Sequence, residues 1–184
     1  MRIVEFKPTK LAGCIVVVPT LFADPRGWFF ESYRADRYAA GGIDATFVQD
    51  NHSRSVKGTL RGLHAQWRKP QGKLVRCTAG EIWDVAVDVR KGSPTFGEWV
   101  GVTLSAENKQ QLYVPPGFVH GFVVVSEHAE LEYKCTDVYD PGGELTVIWN
   151  DPQIGIPWPV KEPLLSDKDA KGKTLAELAD LLPR

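Results

Sequence analysis

Trp83-Asp84-Val85-Ala86-Val87-Asp88-Val89 decides the fold class of this chain. Trp83, Val85, Val87 and Val89 alternate against Asp84 and Asp88, the period-two pattern of a strand rather than the 3.6-residue repeat of a helix. The same pattern recurs on either side. Val100, Val102 and Leu104 alternate with their neighbours, and Leu131, Tyr133 and Cys135 stand against Glu130, Glu132 and Lys134. Residues 14–18, 28–33, 47–53 and 122–125 read as further strands. Turn clusters punctuate them: Asp24-Pro25-Arg26-Gly27, Lys91-Gly92-Ser93-Pro94, Pro115-Pro116-Gly117 and Asp140-Pro141-Gly142-Gly143.

Helix is scarce. Residues 35–40 form a short one, ended by Gly41-Gly42. A second is predicted after Thr174-Leu175-Ala176-Glu177, which has capping-box form. There Leu175, Leu178, Ala179 and Leu182 share a face and Pro183 stops the pattern. The Pro-rich stretch 156–163 is expected to wrap the surface. Short strands with Gly/Pro turns and few helices, mainly C-terminal, predict an all-β double-sheet jelly roll or similar barrel.

The 184 residues suit one domain with a substantial core, taken as roughly 13–150 with an extension over 151–184. A formal net charge of −1 points to neither nucleic acid nor a membrane surface, although a local basic site survives such averaging. No apolar run reaches the roughly 20 residues that span a bilayer. The N-terminus shows no signal-peptide pattern, and Cys14, Cys77 and Cys135 are scattered and odd in number. A cytoplasmic location is the expectation.

Few groups compete for chemistry. Gly58-Thr59-Leu60-Arg61-Gly62-Leu63-His64 leads across a polar loop into Gln71-Gly72-Lys73-Leu74-Val75. Lys73 alternates with Val75 and Cys77 on an inward face, and a buried lysine is rare without a partner or a task. His64 follows Leu60 and Gly62, and taken alone reads as a core histidine bonded to backbone. Tyr133, between Leu131 and Cys135, alone reads as core with a hydroxyl to satisfy. His52 lies in the polar string Gln49-Asp50-Asn51-His52-Ser53-Arg54, a solvated edge or a ligand-facing row. His128 reads as a turn residue.

Pro115-Pro116-Gly117-Phe118-Val119-His120 has the form of the second cupin motif, whose histidine is often a metal ligand. The first cupin motif needs His-x-His with a following Glu, whereas His64-Ala65-Gln66 offers one imidazole. Neither a metal nor another cofactor is therefore expected, and no Walker loop, dinucleotide fingerprint or G-x-S-x-G elbow occurs.

Together these segments resemble the dTDP-4-dehydrorhamnose 3,5-epimerase family, metal-free cupin-fold enzymes of deoxysugar-nucleotide synthesis. The resemblance runs from about Asp24 to Asp169, through Asp24-Pro25-Arg26-Gly27, Gln49-Asp50-Asn51-His52-Ser53, Leu60-Arg61-Gly62-Leu63-His64, Gln71-Gly72-Lys73, Tyr133-Lys134-Cys135-Thr136-Asp137 and Leu165-Ser166-Asp167-Lys168-Asp169. It implies a general base at His64 backed by Asp169, a proton donor at Tyr133 and an enolate-stabilising cation at Lys73. It maps nucleotide-sugar contacts to Arg26, Glu31, Gln49, Asp50, Asn51, Arg61, His120, Glu144 and Lys168. A homodimer is implied too, because the family's strand carrying the Arg26 and Glu31 positions crosses to a partner subunit. Strict alternation sets Arg61 opposite His64, so a bulge is needed to bring them to one face. The family's usual aromatic after His64 is Ala65 here, which implies a reshaped pocket. The activity implied is inversion of carbons 3 and/or 5 of a dTDP-4-keto-6-deoxyhexose, and three alternatives remain: a single-carbon (3- or 5-) epimerase of the same family, a metal-dependent cupin oxygenase or isomerase, and a non-catalytic sugar-nucleotide binding module.

Overall fold

The computed structural model describes residues 3–182. Two antiparallel sheets face each other. The first runs β1 (Val4–Pro8), β2 (Ile15–Pro19), β10 (Gln111–Val114), β7 (Lys73–Ala79), β12 (His128–Cys135) and β5 (Gln49–Val56). The second runs β13 (Glu144–Thr146), β6 (Leu60–Gln66), β11 (Phe118–Val124), β8 (Glu81–Asp88) and β9 (Trp99–Ser105). A separate hairpin joins β3 (Phe22–Asp24) to β4 (Gly27–Phe29). This is the double-sheet architecture that the strand pattern predicts. The strand expected over 28–33 stops early, because β4 has β3 as its ladder partner and no sheet to extend.

Three apolar clusters explain the layering. Val75, Leu112, Phe122, Leu131 and their neighbours fill the space between the sheets. Tyr38, from α1 (Ala35–Ala40), packs with Ile43 and Leu74 on the outer face of the first sheet. Leu175, Leu178 and Leu182 cover the outer face of the second, against Val85, Val87 and Leu63. Trp158 of the Pro-rich stretch stands edge-on to Trp83 at 5.4 Å and donates its indole N–H to the Trp149 carbonyl at 2.7 Å.

β8 corrects the simplest reading of its alternation. Trp83, Val85, Val87 and Val89 belong to the outer cluster under the C-terminal extension. Asp84 and Asp88 share the parity of Ile82 and Ala86, which face the other sheet, and both carboxylates are fully buried. A strand covered on both sides cannot reveal its inner face by hydrophobicity alone.

The helix predicted after Thr174 is also corrected. Its capping box forms: Glu177 Oε2 accepts from Thr174 N at 2.8 Å, and Glu177 N donates to Thr174 Oγ1 at 3.3 Å. Residues 174–182 nevertheless remain a chain of turns, with Ala179 and Leu181 donating three residues back. Asp151 Oδ2 takes the Leu175 amide at 2.7 Å, and Leu175, Leu178 and Leu182 are drawn onto the sheet while Ala179 stays exposed. Pro183 lies outside the described residues. The C-terminal helix is instead α2 (Asp167–Ala170), so the two α-helices lie one towards each end.

Candidate active site

Along the inner faces, apolar residues give way to polar ones at one end of the sandwich. On β7 the series runs Cys77, Val75, Lys73; on β12 it runs Leu131, Tyr133, Cys135. There a cavity of about 690 Å³ opens, bordered by His64, Lys73, His120, Tyr133, Glu144 and Asp169 among others. An adjoining chamber of about 320 Å³ shares His64, Lys73 and Tyr133 and adds Gln49, Asn51 and Gln71.

A bulge puts the two key residues of β6 on one face. His120 pairs with His64, and Phe122 pairs with Arg61, so between them Gly121 of β11 stands against two residues of β6, Gly62 and Leu63. Gly62 sits there at φ +129°, and a Cβ on it would come 2.5 Å from the Gly121 Cα. Only paired glycines let the strands approach so closely. Arg61 and His64 consequently both border the cavity, and Arg61 Nε donates to Ser55 Oγ at 3.0 Å.

Asp169 arrives from 105 residues downstream and meets His64 Nε2 at 2.5 Å. Two parallel bridges hang α2 over the sheet, Thr59 with Leu164 before it and Val147 with Lys173 after it. Ser166 caps the helix, its Oγ accepting from Asp169 N at 3.1 Å. Burial pushes the Asp169 carboxyl up, but hydrogen bonding to His64 and the charges around it outweigh this and hold it below the usual range.

Burial lowers the Lys73 ammonium from its ordinary value, opposed by Cys135, Asp84 and Glu144. Burial likewise raises the Tyr133 phenol, with Arg61 pulling the other way. Among the described residues, neither the Lys73 ammonium nor the Tyr133 hydroxyl has a hydrogen-bond partner, so both donors are available to a ligand. At the rim, Lys168 Nζ donates to Glu144 Oε1 at 2.6 Å and Tyr139 Oη donates to Glu144 Oε2 at 3.1 Å.

Three of the expected contact residues stand elsewhere in the chain. Asp50 points away from Gln49 and Asn51 by simple alternation and receives Lys134 Nζ at 3.0 Å. Arg26, on the projecting hairpin, is 90% exposed and paired to Asp24, and Glu31 is bonded to Arg37. Arg26 borders neither chamber of its own chain. Ala65 packs with Trp67 on the outer cluster and borders the smaller chamber.

Two residues that border or support the cavity escaped sequence reasoning. Tyr139 lies in an irregular segment with no periodic signal. Asp84 is fully buried and accepts from His120 Nε2 at 2.8 Å; a carboxylate inside an otherwise apolar run was its available signal. Among the described residues no group of three or more His, Cys, Asp or Glu side chains is placed to hold a metal ion.

Residues 8–177 match the family model for dTDP-4-dehydrorhamnose 3,5-epimerase. The chain belongs to that family. A dTDP-4-dehydrorhamnose 3,5-epimerase of Pseudomonas aeruginosa is 56% identical over 181 residues, covering 96% of this chain and 99% of that one. The crystal structure of a dTDP-6-deoxy-D-glucose-3,5-epimerase from Legionella pneumophila, in complex with dTDP-4-keto-L-rhamnose, superposes with a TM-score of 0.95 at 52% identity and covers 98% of both chains. A dTDP-4-dehydrorhamnose 3-epimerase of Streptomyces niveus is 40% identical over 183 residues, covering 97% of this chain and 88% of that one. Within the epimerase family, then, this chain resembles members named for two carbons and a member named for one.

Proposed function

We propose that this epimerase inverts carbons 3 and 5 of a dTDP-4-keto-6-deoxyhexose, converting dTDP-4-dehydro-6-deoxyglucose to dTDP-4-dehydrorhamnose. The observation that carries this reading is that His64 with Asp169, Lys73 and Tyr133 all border one cavity.

The substrate's carbon-4 ketone acidifies the hydrogens on carbons 3 and 5. His64 Nε2–H is tied to Asp169, which leaves the Nδ1 lone pair as the base. As it takes a carbon-bound proton, the C–H electrons move into the ring and the ketone oxygen becomes an enolate. Asp169 stabilises the imidazolium that forms. The unpaired Lys73 ammonium meets the enolate oxygen, and a donor so placed is worth roughly 3–4 kcal/mol. Tyr133 then protonates the carbon from the opposite side, inverting it. Burial favours this order, since the phenol keeps its proton until the carbanion is present. Gln49, Asn51, Arg61, His120, Glu144 and Lys168 would hold the nucleotide sugar.

A homodimer completes the reading. Phe22, Trp28 and Phe29 on the hairpin are all exposed, the composition of a surface that a second subunit covers. Arg26 and Glu31 would then serve the partner's cavity, and Asp50 a contact beyond its own. We read the chain as one domain, core 13–150 with extension 151–184, because the extension buries Leu175, Leu178 and Leu182 on the core sheet. Three free, buried thiols suit a reducing cytoplasm.

Turnover of dTDP-4-keto-6-deoxyglucose in heavy water, followed by NMR, tests the reaction. Deuterium at carbons 3 and 5 is the expected result. Label at one carbon makes this a single-carbon epimerase, and label at neither refutes proton abstraction.

A further inference from the structure

His64 and His120 are register partners on β6 and β11, and each ring is backed by a carboxylate. The reaction above gives the His64 pair a role and leaves Asp84 without one. Asp84 sits on the inner face of β8 between Ile82 and Ala86, with no exposed surface. Its Oδ1 accepts from His120 Nε2 at 2.8 Å. Its Oδ2 is, among the described residues, the one buried side-chain oxygen or nitrogen lacking a hydrogen-bond partner. A carboxylate in that position destabilises the fold unless a cation compensates it. An apolar residue would serve the core better.

The Lys73 ammonium acts on Asp84 through space, and among the described residues His120 is the group hydrogen-bonded to it. With Nε2–H tied to Asp84, its other ring nitrogen is free of protein partners among the described residues, and the ring borders the cavity that holds Lys73 and Tyr133. Resting on the epimerase reading, we infer that Asp84 is a positioning residue: its buried charge holds His120 as the doubly protonated ring, so that Nδ1–H, unlike the Nδ1 lone pair of His64, donates to the oxygen that gains charge in the transition state. His64 would then accept protons on one strand while His120 donates a hydrogen bond on the next.

Steady-state kinetics of Asp84→Asn, His120→Asn and the double variant test this. Asparagine keeps an acceptor for Nε2–H but removes the charge. The expected result is a fall in kcat of roughly 10²-fold for Asp84→Asn with KM little changed, since the contact tightens in the transition state. The double variant should be no slower than His120→Asn, because Asp84 acts through that ring. Wild-type kcat in Asp84→Asn, or losses that multiply in the double variant, would overturn the inference. Should Asp84→Asn fail to fold, proton NMR of the wild type decides. A slowly exchanging downfield imidazole N–H that vanishes in His120→Asn is expected, and its absence from the wild type overturns the assignment. This resonance needs no substrate. A protein that shows it but turns over no dTDP-4-keto sugar keeps the Asp84–His120 pair and loses the epimerase reading.

Discussion

The two imidazole–carboxylate pairs lie side by side, yet they are built in different ways. Asp84 is 36 residues from His120 in sequence and one strand away, so sheet register alone brings them together. Asp169 is 105 residues from His64 and reaches it because the extension docks on the outer face of the second sheet. The His120 side chain is 9% exposed and that of His64 24%. A pair made by register is rigid and closed. A pair made by docking is more open, and it can be uncoupled by changes far from the chemistry.

The largest expected effect is at the open pair. His64→Ala should lower kcat by about 10²–10⁴-fold, because a positioned base is worth that much, and should lower the melting temperature too, because it leaves the buried Asp169 carboxylate without its imidazole. Turnover and a thermal scan check both halves. Lys73→Met comes next, at about 10²–10³-fold in kcat; it leaves both imidazole–carboxylate hydrogen bonds in place but removes a cation that acts on Asp84. Equal activity in this variant would remove the enolate cation from the mechanism.

Leu175→Ala attacks the docking. Truncating a fully buried leucine should cost about 2–5 kcal/mol in urea unfolding. The comparison predicts that it loosens the His64–Asp169 contact and spares His120–Asp84, which NMR of the two rings distinguishes. Unchanged rings at both sites would show that the bridges flanking α2 suffice without the leucine cluster.

Two smaller effects concern charge and capping. In the proposed mechanism Lys73 works as an ammonium, and burial lowers its value, so kcat should fall on the alkaline side at lower pH than an ordinary lysine allows. Lys73→Arg should move that limb to higher pH. The depressed Asp169 carboxyl stabilises the fold above its unfolded value, and this contribution is lost as pH falls through the folded one. Ser166→Ala removes the α2 cap and should cost about 1 kcal/mol, read from the shift in the urea midpoint.

Much of the site was legible because strands alternate. Lys73 and Tyr133 face inward as their apolar neighbours at i±2 suggest, and Gln49 and Asn51 share a face as their spacing implies. His64 and Arg61 were a problem for that rule, and the extra residue on β6 resolves it. Asp84 was hidden by the same rule, since both faces of β8 are covered. The terminal helix failed because a capping signal describes local bonds, whereas the extension answers to the sheet beneath it.

The sequence by itself determined the all-β class, the turns and the inward parity of Lys73 and Tyr133, for these follow from period-two geometry and turn chemistry within a few residues. The tertiary structure alone decided which face of β8 looks inward, where β6 bulges and how Asp169 returns to His64. Each of those depends on what packs against the element, and hydrophobic burial is set by partners that the local chain does not contain.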